Sequence, residues 1–272
     1  MSHAFSEKAL RAQEDIIKFY VDKFILKLAA LCDKNAGGER WAVVDMVKWY
    51  NFVTFDLIGD LAFGEPFGCL DTGWYHPWVA LIFEGFRLAT LMQVLRRYPR
   101  AAKILQLFIP RKLQEQQRKH QLLSFEKAQT RIAKGSGGRA DFMSYILRHN
   151  DDKGMTTAEI GENANILIVA GSETTATLLS GTTFWLLKNP AAYQLAADEV
   201  RSSFSKEDDI NMVSVSQMKY LLAVLREGLR MYPPLPGGLT RKSPPGGAFV
   251  SGVWIPEGVR KLPIHSLANR RF

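Results

Sequence analysis

The chain has 272 residues, with 35 Lys and Arg against 27 Asp and Glu, a formal net charge of +8, and 47% hydrophobic residues. That is enough apolar material for a sizeable core and excludes a disordered tail. Two cysteines exclude a disulfide framework and point to a reducing, cytosol-facing compartment. In chain order, residues 6–32 read as an amphipathic helix with Leu10, Ile17, Phe24 and Leu28 on one side. Residues 41–62 repeat large apolar residues at helical spacing until Gly64 and Pro66 break the pattern, and 77–97 form a further helix. Residues 110–134 are polar, basic and helical, with Pro110 near the first turn. The connection RRYPRAAKILQLFIP, within 86–110, mixes arginines with Leu, Ile and Phe. Two readings stand open for it: a surface lying on a membrane, and ordinary packing against a neighbouring helix. A flexible surface loop follows at 134–141.

From Thr156 to Lys188 the pattern predicts one unusually long helix, opened by a Thr156–Glu159 capping box and stopped by Asn189 and Pro190. Its middle, ILIVAGSETTATLLSGTTFW, places Gly171, Glu173 and Thr174 in an apolar run. A buried Glu173 is costly unless a partner, a proton or water compensates it. A glycine there costs about 1 kcal/mol relative to alanine and lets the backbone open toward a ligand. The neighbouring hydroxyl admits two readings, proton relay with Glu173 or a bond back to the preceding turn that merely bends the helix. A second amphipathic helix, MKYLLAVLREGLRMY, runs to Pro233 and Pro234. It carries Glu227 and Arg230 three apart, with apolar flanks that suggest partial burial. Beyond it, Ala248–Ile255 and Val259–Ile264 read as two short β runs joined by a turn at Pro256, Glu257 and Gly258.

A-G-S-E-T-T followed some fifty residues later by E-G-L-R-M-Y-P-P resembles the heme-thiolate monooxygenases, the cytochromes P-450, in a form found in filamentous fungi. KNPAAYQLAADEVRSSF, LREGLRMYPPLPGGLTRKS, SHAFSEKALRAQE and VDMVKWYNFVTFDLIGDLAFGEPFG agree, so the resemblance covers nearly the whole chain. It implies a mainly α fold, the central part of the P-450 domain: one partial domain over 1–272, helical over 1–233, with a small β region over 234–272. It places an oxygen-binding groove at Ala170 and Gly171, proton delivery at Glu173 and Thr174, a heme-propionate contact at Arg241, and a structural pair at Glu227 and Arg230. It further implies heme iron, NADPH electrons delivered by a flavoprotein reductase, a small apolar substrate, and the cytosolic face of the endoplasmic reticulum membrane.

The family's heme-ligand cysteine lies in a loop F-x-x-G-x-R-x-C-x-G, which the resemblance places downstream of Phe272, and its membrane anchor is expected before Met1. Cys32, in KLAALCDKN, and Cys69, in PFGCLDTG, lack that motif and read as inert thiols. The 272 residues are therefore expected to be a truncated monooxygenase that does not retain heme alone, with a non-catalytic helical remnant as the alternative. No apolar stretch of about 18 residues is present to span a bilayer. The histidines His3, His76, His120, His149 and His265 share no metal-ligand spacing, so no protein metal site is expected. The basic residues are spread over helix faces without a recognition motif, which argues against nucleic acid and fits an acidic reductase.

Overall fold

A computed structural model describes residues 2–33, 41–83, 85, 111–135, 139–148, 154–236, 241–250 and 252–261. The chain divides into two compact units, Met1–Ala176 and Thr177–Phe272. The described elements are helical until a pair of small antiparallel ladders near the C-terminus, as the resemblance implied. The predicted segments 86–110 and 262–272 lie outside the described residues, so the membrane-surface reading of 86–110 and the end of the second β run are not among the features that follow.

The first unit opens with a 3₁₀ turn at Ser2–Phe5, then α1 (Glu7–Arg11) and α2 (Glu14–Asp33). The single helix expected over 6–32 is thus broken in two. Ser6 caps α1 by accepting the Ala9 N–H at 3.2 Å, the chain tightens as Gln13 N–H donates to the Leu10 carbonyl at 3.0 Å, and Glu14 and Asp15 restart a helix whose N-terminal dipole favours carboxylates. Next, α3 (Met46–Phe63) starts at Asp45, whose carboxylate accepts the Lys48 N–H at 3.3 Å, and ends at Gly64, held at φ 72° where a side chain would be strained. Almost every residue from Asn51 to Phe63 is buried, so α3 is the central strut and not a surface helix. Phe55, Phe63, Leu70 and Trp78 are fully enclosed around it, each burial contributing about 1.5–3 kcal/mol.

Two carboxylates on this buried helix are satisfied by distant partners. Asp56 accepts the N–H groups of Cys69 at 3.0 Å and Leu70 at 2.8 Å, capping the short α4 (Cys69–Thr72) from another element. Asp60 pairs with Arg139 at 2.5 Å and accepts the Tyr20 hydroxyl. Residues 77–83 are helical, followed by α5 (Arg111–Ala133) and α6 (Phe142–Arg148). Arg131 of α5 is buried, with both Asp141 carboxylate oxygens at 2.8 and 2.9 Å and the Ser144 hydroxyl at 2.7 Å. Every charge there has a partner, the condition for burying one.

Helix α7 (Thr157–Lys188) is the 32-residue helix that the pattern predicts. Its capping box is formed: Glu159 accepts the Thr156 N–H at 2.8 Å, and the Thr156 hydroxyl accepts the Glu159 N–H at 3.3 Å. Residues to Ala176 belong to the first unit and the remainder to the second. The second unit adds α8 (Pro190–Ser203), a single turn α9 (Met212–Val215) and α10 (Lys219–Met231). Glu199 of α8 accepts the N–H groups of Tyr220 at 2.9 Å and Leu221 at 2.7 Å, capping α10 across the helix pair.

The β region pairs differently from the two runs expected. Ala248–Ile255 is not one strand. It is a hairpin in which β2 (Ala248–Val250) pairs antiparallel with β3 (Val253–Ile255), with Gly252 at φ 79° just before β3. After the Pro256–Gly258 turn the chain runs back, and β4 (Arg260–Lys261) pairs antiparallel with β1 (Arg241–Lys242), which precedes the hairpin. Two nested ladders result, because Gly252 supplies the left-handed turn in mid-run.

Candidate functional site

In the first unit, Ala170, Gly171, Glu173 and Thr174 occupy one turn of α7. Ala170 is exposed and the other three are part-buried. A Cβ on Gly171 would meet Ile58 of α3 at 2.7 Å, so the missing side chain brings the two helices together rather than opening that side to a ligand. The Thr174 hydroxyl donates to the Ala170 carbonyl at 2.6 Å, and Ser172 does the same to Ile168 at 2.6 Å. The bond back to the preceding turn is therefore made, while the Thr174 oxygen keeps lone pairs with which to accept.

Glu173 has one carboxylate oxygen, Oε2, fully enclosed and without a hydrogen-bond partner among the described residues. Burial pushes its pKa up, since the charged form loses water and gains nothing in return. Sequence reasoning missed Tyr75. Its hydroxyl is pushed up to about 12, first by burial and then by the charges of Asp45 and Glu173, which places it within electrostatic reach of the carboxylate. Tyr75 is held edge-on between Phe52 and Phe83, with ring centroids at 5.0 and 5.3 Å. Nothing in G-W-Y-H-P-W singles it out, because it reaches the site from a loop through tertiary packing.

In the second unit, Glu227 and Arg230 pair through two bonds, Nε to Oε2 at 2.8 Å and a terminal nitrogen to Oε1 at 2.5 Å. Partial burial was expected of them: Arg230 is part-buried, with a terminal nitrogen 3.0 Å from the Met231 sulfur, while the Glu227 side chain is 57% exposed. Arg230 holds the Glu227 carboxyl below the usual carboxylate range. The pair edges a cleft of about 530 Å³ walled by Thr182, Trp185, Leu186, Tyr220 and Val224. Arg241 lies on β1, exposed.

Neither cysteine fits a thiolate ligand for heme. Cys69 is wholly enclosed, its sulfur accepts the His76 N–H at 3.5 Å, and burial pushes its thiol up to about 12, which keeps it protonated. Cys32 sits one residue before the end of α2, outside any glycine-rich loop. Ala170, Glu173 and Thr174 do fit the oxygen side of such a group: a small exposed residue beside a hydroxyl and a carboxyl whose pKa burial raises. Among the described residues no cluster of His, Cys, Asp and Glu could hold a metal ion.

The family model described as cytochrome P450 matches residues 1–270. The chain belongs to the cytochrome P450 family. It is 44% identical to cytochrome P450 monooxygenase astJ of Aspergillus oryzae, over 95% of this chain and 51% of that protein. It is 48% identical to cytochrome P450 monooxygenase aclL of the same fungus, with the same coverage, and 44% identical to the trichothecene C-4 hydroxylase of Trichoderma arundinaceum, over 98% of this chain and 53% of that protein. The chain thus spans about half the length of the curated relatives it matches. Among solved structures it resembles the heme domain of cytochrome P450DA, with a TM-score of 0.73 at 19% identity, over 94% of this chain and 53% of that one. That likeness concerns the fold. The P450 resemblance drawn from A-G-S-E-T-T and E-G-L-R is therefore correct at the level of family, fungal relatives and mainly helical fold.

Proposed function

We propose that this P450 chain supplies the oxygen side of a heme-dependent monooxygenase, with Glu173 and Thr174 as its proton-delivery pair. The observation that carries the reading is the enclosed, unpartnered Glu173 Oε2 one residue from a hydroxyl anchored on the Ala170 carbonyl. The chemistry supplied by heme, when bound, is reductive activation of dioxygen, with one oxygen atom going to an apolar substrate and the other leaving as water. That stoichiometry consumes protons in a dry site. Burial raises the Glu173 pKa, so its carboxyl holds a proton to higher pH than a free glutamate, and the Thr174 hydroxyl, once its O–H swings off the Ala170 carbonyl, can donate that proton onward while accepting one from a neighbour. Ala170 keeps the helix surface open beside them, and Gly171 holds that turn against Ile58. Arg241 would contact a heme propionate, and the Glu227–Arg230 pair would be structural.

The same reading assigns electron supply from NADPH to a flavoprotein reductase docking on the basic surface, and a small apolar organic substrate. The hydroxylase names among the relatives support a C–H oxygenation. It places the complete oxygenase on the cytosolic face of the endoplasmic reticulum, with 86–110 as a peripheral membrane contact. No described helix is long and apolar enough to cross a membrane. The heme thiolate is assigned to a cysteine other than Cys32 and Cys69, so the 272 residues alone would not retain heme.

The test is Thr174→Ala in a full-length P450 that carries this sequence. Loss of the hydroxyl should divert NADPH electrons to hydrogen peroxide and lower product per NADPH by about tenfold or more, in the range of one general acid–base contribution. An unchanged product yield with no added peroxide would remove Thr174 from proton delivery.

A further inference from the structure

Two hydroxyls of the chain stand three residues before a carboxylate, Thr156 before Glu159 and Ser205 before Asp208. The fold treats them oppositely. The Thr156 hydroxyl donates to the Glu159 carboxylate at 2.9 Å and accepts the Glu159 N–H at 3.3 Å, so hydroxyl and acid are both spent on the start of α7. Ser205 lies between α8 and a 3₁₀ turn at Glu207–Asp209, exposed, and its hydroxyl has no hydrogen-bond partner among the described residues. The serines just before it are committed: Ser202 and Ser203 are still in α8 and donate back to the carbonyls of Asp198 at 2.7 Å and Glu199 at 2.6 Å.

Backbone and charge around Ser205 suit capture by an enzyme that acts on protein chains. Phe204 (φ −128°, ψ 129°) and Lys206 (φ −138°, ψ 152°) are both extended, the form in which a peptide lies in a groove. Glu207, Asp208 and Asp209 follow, all exposed, and the turn that they form buries none of its residues. Two backbone bonds close that turn, Asp209 N–H to the Lys206 carbonyl and Ile210 N–H to the Glu207 carbonyl, both at 3.1 Å. Straightening it therefore forfeits little. From 202 to 211 the sequence sets one cation, Lys206, against these three carboxylates.

We propose that Ser205 is a phosphorylation site for a serine/threonine kinase whose basic groove reads the carboxylates of Glu207, Asp208 and Asp209, charge pattern being a common basis of kinase selectivity. The Ser205 oxygen attacks the γ-phosphorus of MgATP and its proton passes to the kinase's general base, while the bond to the bridging β-phosphate oxygen breaks and ADP leaves. The product sets about −1.5 to −2 charges beside three carboxylates and the negative end of the α8 dipole. Repulsion outweighs the single lysine. It acts on the end of α8, where the Glu199 carboxylate holds the Tyr220 and Leu221 N–H groups of α10, so the phosphate works as a loosening switch on that helix pair. The site is independent of proton delivery at Glu173 and Thr174.

The test incubates the 272-residue chain with a casein-type acid-directed kinase and MgATP, and maps the phosphate by mass spectrometry of its peptides. Phosphate is expected on Ser205 and not on Thr156. Ser205→Ala should abolish incorporation, and E207Q/D208N/D209N should slow it about tenfold or more, the lower end of what charge steering supplies. At low salt the phosphorylated chain should melt about 2–4 °C below the unmodified one, the sum of several like-charge contacts, and the gap should close at about 1 M salt. No incorporation, incorporation on Thr156 or another hydroxyl in place of Ser205, or an unchanged rate in the triple variant would overturn the site. Equal melting of the two forms at low salt would overturn the loosening switch.

Discussion

Glu173 carries a cost that stability measurements can read. Burial raises its pKa above that of the unfolded chain, so the folded state binds this proton more tightly. For a group shifted in that direction the stabilising contribution is complete below the unfolded carboxylate titration and is lost as pH rises through the folded value. At neutral pH the enclosed, unpartnered Oε2 is a net burden, one that a residue serving only the fold would not need to carry. Glu173→Gln should therefore raise the melting temperature of the chain at pH 7.5, by about 2–4 °C for each kcal/mol recovered in a protein of this size. That advantage should vanish at pH 4, where the wild-type carboxyl is already protonated. Thermal melts of both proteins at the two pH values check this, and an equal shift at both would remove the ionisation argument. Tyr75, which senses the Glu173 charge, was invisible in the sequence because its relation to the carboxyl is tertiary, with no spacing to betray it.

Among elements, what was legible was local. The Thr156–Glu159 box, the stop at Asn189–Pro190 and the end of α10 before Pro233 depend on residues within a turn of each other, and they appear where expected. The division between α1 and α2 carries neither Gly nor Pro, so the apolar period runs straight through it. Strand pairing was not legible either, because register between Arg241 and Lys261 is decided twenty residues apart. Glycines at helix crossings stand between these cases: visible in the sequence, with partners that only the fold supplies. Gly228 of α10 lies against Thr182 of α7, and a Cβ there would fall on the Thr182 hydroxyl, itself enclosed and without a hydrogen-bond partner among the described residues. Gly228→Ala should destabilise the chain by about 1–3 kcal/mol. Thr182→Ala alone, which removes an unsatisfied buried oxygen, should be neutral or slightly stabilising, and the double variant should recover most of the loss. Denaturant unfolding of the four proteins gives the coupling directly. Additive effects would mean that the two residues do not meet.

For the whole molecule, family membership was legible far sooner than the capacity for chemistry. A-G-S-E-T-T and E-G-L-R identify the P450 family because they are short, ordered and specific, and the match runs over residues 1–270. Chemistry depends instead on which sulfur can become a thiolate, and that is settled by environment. Cys69 has a backbone N–H directed at its sulfur, which favours the thiolate, yet burial and the nearby Asp56 carboxylate outweigh it and leave the thiol with a pKa near 12. Releasing that sulfur to bind iron would mean breaking the Asp56 cap on α4 and opening the packing around Trp78 and Leu70, both fully enclosed. Heme added to the purified 272-residue chain should therefore give no thiolate-type absorption spectrum in the ferrous carbonyl state, and Cys69→Ala should leave the titration unchanged. Cys32→Ser serves as the second control, because its sulfur is not enclosed. A thiolate spectrum lost in either variant would locate the ligand within this chain and displace the assignment of the heme thiolate to another cysteine. A thiolate-free spectrum in all three proteins, with Thr174→Ala still altering peroxide yield in a full-length enzyme, would place the oxygen-side groups on this chain and the iron ligand on another segment.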